Sequence, residues 1–487
     1  MTALLSRLIG RAISPDPLIT GVTADSRKVT PGCLFAALPG SKVDGRAYVE
    51  SAVASGAAAI LAPDDVTHPA VPVIHEPDLR RAYALAAAAF HGAQPATCVA
   101  VTGTNGKTSV ATFCRQIFAA LGHKAASMGT LGVTVSAPGV ADIQITPPGL
   151  TTPDAADVAA LMAGLAADGV THVALEASSH GIDQRRLDGV RLTAAGFLNL
   201  TQDHLDYHGT MGVYRAAKLR LFETLLPVGG AAVLNADSDQ FGTFEAAATA
   251  AGHPVISTGE SGSGLRLLSR HLTADGQALS VEHDGCVHEV RLPLAGAFQA
   301  DNALVAAGLC IATGEEAGLV LKALGHLKGA PGRLQHVGAG PRGGEAYVDY
   351  AHTPDGLETV LKALRPHTEG RLIVVFGAGG DRDRGKRPLM GGIAARLADI
   401  AIVTDDNPRT ESPAAIRAEI LAAAPGAREV GDRREAIRAA ASLLGKGDVL
   451  VVAGKGHEQG QLVAGVNHPF DDVTETAAAL GQERVHD

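Results

Sequence analysis

From Cys98 onward, short apolar runs alternate with longer stretches of helical periodicity. CVAVTG (98–103), THVALEAS (171–178), AGFLNLTQDH (195–204) and AAVLNAD (231–237) read as strands that end in polar or glycine residues. Thr108 to Leu121 and Tyr214 to Leu226 read as helices between them. Such alternation predicts a mostly parallel sheet with helices on its faces. The first hundred residues differ. VTADSRKVTPGCLFAALPG predicts two short strands around a Pro31-Gly32 turn, followed by a turn at Asp44-Gly45, a helix over about Arg46 to Ser55 and the strand AAAIL. Tyr83 to Phe90 reads as an alanine-rich helix that stops before Gln94-Pro95. Gly259 to Gly264 reads as a flexible loop, and Arg266 to Leu292 as antiparallel strands turning at Asp275-Gly276 and Asp284-Gly285. After Ala330-Pro331-Gly332 the alternation restarts, in AYVDYAHTP, RLIVVFGAGGDRD, IAIVTDDNPR and DVLVVAGKGHE. The expectation is an α/β protein of three domains, 1–96, 97–332 and 333–487. Polar residues cluster just after strand ends, where open α/β sheets hold their ligands.

Composition narrows the function classes. The chain has 487 residues, 46% hydrophobic and 19% charged, which suits packed cores. Its net charge of -10 argues against a broad nucleic-acid surface. Aromatics are 3% and Trp is absent, which argues against base-stacking platforms. Five cysteines without paired spacing predict neither a disulfide framework nor a zinc knuckle. No apolar run is long enough to span a membrane, and MTALLSRLIGRAI, broken by Arg7 and Arg11, lacks a signal-peptide core. A cytoplasmic setting is expected.

VAVTGTNGKTS (99–109) joins a strand, a glycine-rich turn and a helix start. The glycines let backbone amides approach phosphate oxygens, and the helix N-terminus adds its positive dipole end. Lys107 can reach the outer phosphates, and the Thr108 hydroxyl can ligate Mg²⁺. Counted from Gly103 the loop is shorter than the common form, with Thr102 at the first glycine position. Glu176, ending its strand, suits a magnesium ligand. HLDYH could present His204 and His208 as a zinc pair, but no third ligand lies at the expected spacing, so a magnesium role for His204 is the better reading. By periodicity alone Lys218, in YRAAKLRLF, reads as a solvated lysine.

TGTNGKTS, EASSHGIDQRR, LTQDHLDYHG, YRAAKLRLF, DNALVAAGLC, APGRLQ, VDYAHTPDGLE, GGDRDRGKRPLM, DDNPRTESP and GKGHE occur in this order, with DSRKVTPGCLFAALPG upstream. Together they resemble the Mur ligases, ATP-dependent amide-forming enzymes of bacterial wall synthesis, and within them the diaminopimelate-adding branch. The resemblance covers essentially the whole chain. It implies an N-terminal α/β domain for the UDP end, a central phosphate-loop ATPase domain and a C-terminal Rossmann-like domain for the incoming amino acid. ATP would phosphorylate the D-Glu carboxylate of UDP-MurNAc-L-Ala-D-Glu, and the amine of meso-2,6-diaminopimelate would attack the acyl-phosphate. Two Mg²⁺ ions, domain closure and a monomer are expected.

Carried over position by position, the resemblance implies that Ala24, Ser26, Ser41, Lys42 and Val43 meet the UDP moiety. Leu150, Thr151, Thr152, Ser178, Gln184 and Arg186 would hold the muramoyl-peptide. Gly103, Thr104, Asn105, Gly106, Lys107, Thr108 and Ser109 would hold the ATP phosphates, with Asn302 and Arg333 at the adenine and phosphates and Asp349 at the ribose. Thr108, Glu176, His204 and a carbamylated Lys218 would serve magnesium. Lys107, Lys218, Glu176 and His204 form the implied catalytic group. Arg382, Asp406, Asn407, Pro408, Arg409, Gly454 and Glu458 match the diaminopimelate site. Glu458 or His352 could take the proton from the amine. Two departures stand out: Leu150 replaces the family's Asn before Thr-Thr, and GAFQADN carries Gln299 where Asn is common. Rival readings are a lysine-adding sibling, a folylpolyglutamate synthetase and, in another class, a phosphate-loop switch. The second lacks a UDP-binding domain, whereas about 95 residues precede this loop. The third leaves DNPR and GKGHE without a role.

Overall fold

The computed structural model describes residues 1–40, 44–273 and 276–482. These form two compact units, Met1–Arg266 with Val305–Val320, and Leu267–Leu304 with Leu321–Asp487.

In the first unit an antiparallel pair, Ala3–Leu4 with Leu18–Ile19, precedes four short parallel strands, Gly21–Thr23, Cys33–Ala36, Ala59–Leu61 and Val73–Ile74. The two strands flanking Pro31-Gly32 are parallel, because a 3₁₀ turn at Ser26–Lys28, capped by the Asp25 carboxylate, carries the chain back before the second begins. The helix expected over 46–55 is a 3₁₀ turn, Gly45–Tyr48, running into an α-helix, Val49–Ala54. The alanine-rich helix is longer than expected, Leu79–His91, since Asp78 caps it by accepting the Arg81 amide at 3.0 Å. Its Tyr83, Ala84, Ala86, Ala87 and Phe90 pack with Leu5, Leu8, Ile19, Leu34 and Leu61. Small side chains on this face allow close approach to the helix Ala155–Ala167, whose Ala155 and Ala159 join the same core. The Tyr83 hydroxyl donates at 2.6 Å to Asp154, the residue that caps Ala155–Ala167, and so ties the two helices together.

The main sheet of this unit runs in the order Val140–Thr146, Gly132–Ala137, Ala125–Gly129, His172–Glu176, Thr97–Thr102, Ala194–Phe197, Ala231–Asn235, Val255–Gly259. The first two strands are antiparallel additions, and the other six are parallel. Glu176 pairs with Val101 and Phe197 with Thr102, so three carboxyl ends finish side by side. The strand expected over 195–204 stops at Phe197, and the residues after it form a loop beside the phosphate turn. The helix expected over 214–226 begins at Met211, capped by Thr210, and loosens into a π turn at Leu221–Leu225. The 259–264 segment, expected to be flexible, is tied down. Asp237 accepts the Glu260 and Ser261 amides at 2.7 and 2.8 Å, and the Ser257 and Ser263 hydroxyls meet at 2.9 Å.

In the second unit, Gly276–His283 and Cys286–Leu292 form the expected hairpin through Asp284 and Gly285, both at positive φ. Asp275 lies outside the described residues. The next sheet is ordered Gln335–Ala339, Glu345–Asp349, Val449–Ala453, Leu372–Phe376, Ile400–Val403, Arg428–Glu429, parallel except at the first strand. Helices such as Pro354–Leu364 and Arg433–Leu443 bury leucine, isoleucine and alanine stripes against it. All five cysteines are free thiols, and among the described residues no helix is long and apolar enough to cross a membrane.

Candidate active site

The phosphate loop sits between the strand Thr97–Thr102 and the helix Lys107–Ala120. Gly106 precedes the helix at φ 90°, a conformation costly for any side-chain-bearing residue. Asn199, in the loop after Phe197, braces the turn: its side chain accepts the Asn105 amide at 2.9 Å and donates to the Asn105 carbonyl at 3.2 Å. Lys107 curls over the loop and donates to the Gly103 and Thr104 carbonyls, each at 2.9 Å. One residue into the helix, the buried Thr108 hydroxyl donates to Glu176 at 2.9 Å. The other Glu176 oxygen accepts the Thr130 amide at 2.8 Å. Gly129 gives this carboxylate room, since a Cβ there would overlap it.

Lys218 is 1% exposed and reaches the same loop. Its Nζ donates to the Gly103 carbonyl at 2.7 Å and lies 4.7 Å from the Tyr214 ring centre. Burial, reinforced by the Lys107 charge, pushes its pKa well below the ordinary lysine value, which favours the neutral amine. The solvated lysine that periodicity suggested is therefore not what the fold makes. His204 caps the short helix Leu205–His208 at φ 53° and is 3.3 Å from Asp203. Burial and the charges of Lys107 and Lys218 lower its pKa, with Asp203 acting in the opposite sense. His208 turns away to Ser179 at 3.0 Å, so HLDYH does not form a zinc pair. His180 packs between Tyr207 and His204, with ring centres at 4.1 and 4.8 Å, and burial takes its pKa down to about 4.

The residues expected at the muramoyl-peptide converge beside Glu176. The Thr151 hydroxyl is 2.9 Å from that of Thr130, and the Thr152 hydroxyl is 3.0 Å from the Glu176 carbonyl and 2.9 Å from Ser178. Arg186 donates to the Thr152 carbonyl and to Gln184, both at 2.7 Å. Leu150 is 65% exposed at the rim. Ala24 and Ser26 follow the strand Gly21–Thr23 in the N-terminal segment. Ser41, Lys42 and Val43 lie outside the described residues.

The remaining expected residues belong to the second unit. Buried Asn302 donates to Gln299 at 3.1 Å, and Gln299 reaches the Arg333 carbonyl at 3.5 Å. The Arg333 guanidinium stacks 4.5 Å over the Tyr350 ring. Asp349 accepts the Leu334 and Ala351 amides at 2.6 and 2.8 Å; burial raises its pKa to about 6, against the pull of Arg333. Asp406, Asn407, Pro408, Arg409, Gly454 and Glu458 come together at the ends of two parallel strands. Asn407 donates to Glu458 at 2.8 Å. One Asp406 oxygen accepts the Asn407 amide at 2.7 Å, and the other is buried without a partner. Burial works to raise this carboxyl, but Arg433 and Lys455 outweigh it and hold the pKa below the ordinary value. Arg409, at φ 53°, donates to the Gly380 carbonyl at 2.7 Å. Glu411 pairs with buried Arg387 at 2.7 Å, not with Arg409, and this hydrogen bond holds the Glu411 pKa at about 2. Arg382 is exposed on the 381–385 turn.

Three structural participants escaped the sequence reading. Thr130 and Asn199 lie in loops with no motif to mark them. Lys455 sits inside GKGHE, where its place between two glycines after an apolar strand was a usable signal. Its fully buried Nζ donates to Asn407 at 2.9 Å and pairs with Glu458 at 3.1 Å.

Residues 18–97 match the Mur ligase family catalytic domain, 101–310 the Mur ligase middle domain and 332–456 the Mur ligase glutamate ligase domain. The chain is 73% identical to the UDP-N-acetylmuramoyl-L-alanyl-D-glutamate–2,6-diaminopimelate ligase of Caulobacter vibrioides, over 99% of each chain. It is 55% identical to the Agrobacterium fabrum enzyme of the same name, over 95% of this chain and 94% of that one. A solved UDP-N-acetylmuramoyl-L-alanyl-D-glutamate–2,6-diaminopimelate ligase superposes with a TM-score of 0.74 at 33% identity, covering 99% of both. On this likeness, 73% and 55% identity over nearly the whole chain, the protein belongs to the Mur ligase family.

Proposed function

We propose that this chain is the ATP-dependent ligase that joins meso-2,6-diaminopimelate to the D-Glu of UDP-MurNAc-L-Ala-D-Glu, releasing ADP and phosphate. It works in the cytoplasm as a monomer, with functional domains at 1–96, 97–332 and 333–487. The observation that carries the reading is the convergence of Lys107, the Thr108–Glu176 pair and buried Lys218 on one glycine turn. The 73% identity to a ligase of that name supports the substrate.

A carboxylate is a poor electrophile, so it must first gain a leaving group. Lys107 offsets negative charge as the γ-phosphoryl passes to the D-Glu carboxylate. Arg186, braced by Gln184 and the Thr152 carbonyl, orients the dipeptide. The diaminopimelate amine then attacks the acyl-phosphate and phosphate leaves, and Glu458 or His352 is the candidate to take the proton.

The Thr108 hydroxyl and Glu176 carboxylate, 2.9 Å apart, are the hard oxygen donors that Mg²⁺ prefers, and His204 would complete the set. Bound there, magnesium would neutralise charge on the transferring phosphoryl group. Neutral Lys218 can add to CO₂, forming a carbamate and releasing one proton, which would give a second anion beside the loop.

A coupled phosphate-release assay tests the reading. Release should require both UDP-MurNAc-dipeptide and diaminopimelate, with lysine and ornithine poorer by at least about 10³-fold in kcat/KM. Comparable turnover with lysine would replace the substrate assignment by the sibling's. Hydrolysis independent of both substrates would favour a nucleotide switch.

A further inference from the structure

We propose that His123, His172 and Glu315 form a binding site for a divalent transition-metal ion of the zinc class, remote from the phosphate loop. His172 opens the strand that Glu176 closes, four residue steps away, or roughly 13 Å. His123 follows the far end of the helix Lys107–Ala120, about 20 Å from the phosphate turn. The site is therefore separate from the magnesium donors.

The donor atoms already face one another. His123 Nε2 lies 2.8 Å and His172 Nε2 3.7 Å from the same Glu315 oxygen. All three donor atoms fall within 4.8 Å of one another. Four-coordinate zinc with bonds of about 2.0–2.1 Å needs ligand atoms roughly 3.3 Å apart, so the two measured separations straddle the required one. The imidazole ring centres are 3.9 Å apart with the planes tilted by 35°, and Phe118 walls the site 4.6 Å from His172.

A supporting hydrogen bond sets the chemistry of one ligand. The Thr171 hydroxyl donates to the Lys124 carbonyl and lies 2.8 Å from His172 Nδ1. When the hydroxyl keeps its bond to the Lys124 carbonyl, the His172 Nδ1–H donates to it and the Nε2 lone pair is left facing Glu315. Zinc-bound histidines are commonly oriented in this way. Two imidazoles and one carboxylate leave a fourth position for water, and the partly exposed edges of His123 and Glu315 give an ion its route in. The ion would clamp together the end of a helix, the start of a central strand and the turn holding Glu315. Soft thiolate ligation is not needed, and the hard-oxygen set that magnesium prefers is absent here.

The test uses the full chain, stripped with chelator and titrated with Zn²⁺ in excess Mg²⁺, which keeps the oxygen donors near the phosphate loop occupied. One equivalent of zinc should bind and raise the melting temperature, and Co²⁺ should give the visible spectrum of a four-coordinate ion. His123→Ala and Glu315→Gln, both at partly exposed positions, should each weaken binding by at least about 100-fold, and Thr171→Val by about tenfold. His204→Ala should keep the equivalent. No bound zinc, wild-type affinity in both His123→Ala and Glu315→Gln, or loss of the equivalent in His204→Ala alone would each overturn the proposal.

Discussion

Lys218 and Lys455 are both fully buried; Lys218 reaches from its helix to a glycine-bearing turn, and Lys455 lies in one, each beside the carboxyl ends of parallel strands. Their surroundings differ in one respect. Lys455 has Glu458 at 3.1 Å and the Asn407 side-chain oxygen at 2.9 Å, with Asp406 nearby and the buried Arg433–Asp472 pair behind. Among the described residues Lys218 bonds to a backbone carbonyl and a threonine hydroxyl and faces an aromatic ring, with no carboxylate bonded to it; the Lys107 charge adds to burial in lowering its pKa, and Asp203 acts in the opposite sense. A buried charge without a counter-charge is expensive, and the cheaper outcome is to lose the proton. On the proposed reading the paired lysine is a strut that aims Asn407 and Glu458, and the other is a nucleophilic amine.

The contrast breaks most sharply at Lys218. Lys218→Ala should lower turnover on the order of 10³-fold, as for other single electrostatic groups at such centres. Short carboxylic acids should partly restore it by supplying the missing anion, and ¹³C-labelled bicarbonate should give a carbamate signal in the wild type alone. Wild-type turnover in the alanine variant would make Lys218 a second strut.

Arg409 comes next. Removing its guanidinium should cost roughly 2–4 kcal/mol in kcat/KM for diaminopimelate, as when one partner of a desolvated charge pair is lost. Lysine, which lacks the distal carboxylate, should be affected far less. Equal losses on both amino acids would mean that Arg409 supports the turn through Gly380 and selects nothing.

Asp349 is a buried acid between the two extremes, with two amides and the Arg333 charge for company. Its pKa is raised from 3.8 to about 6, so the folded state favours the protonated form. That contribution to stability is complete below about pH 3.8 and is lost as pH rises through about 6. Between pH 4 and 7 the wild type should lose on the order of 2–3 kcal/mol that Asp349→Asn does not lose. Urea unfolding of both proteins at the two pH values measures the difference, and parallel pH profiles would refute it.

The smallest effect is expected at the strut. Lys455→Met should raise the KM for the amino acid roughly tenfold, equivalent to one charged hydrogen bond, with the KM for ATP unchanged. A fall in kcat at constant KM would place Lys455 in the chemistry instead.

Much of this was legible along the chain because it is local. TGTNGKTS announces a strand, a turn and a helix start within eight residues, and the expected helix boundary at Thr108 is one residue from the observed Lys107. DNPR and GKGHE each come after an apolar run, so their place at strand ends was readable too. Misreadings arose where a distant group decided. The 259–264 segment is glycine-rich, yet Asp237 holds its amides.

The sequence by itself determined the element types, the alternation that makes parallel sheets, the phosphate loop and the order of family motifs. These depend on periods of a few residues and on glycines at defined places. Only the tertiary structure decided which charges are buried and which of those find partners. Lys218 stands between Arg215 and Arg220 on a helix whose periodicity would equally suit a solvated lysine. It becomes a low-pKa amine only when that helix packs against the Gly103 turn more than a hundred residues earlier in the chain. Charge state depends on desolvation and on neighbours in space, and neither is a property of local spacing.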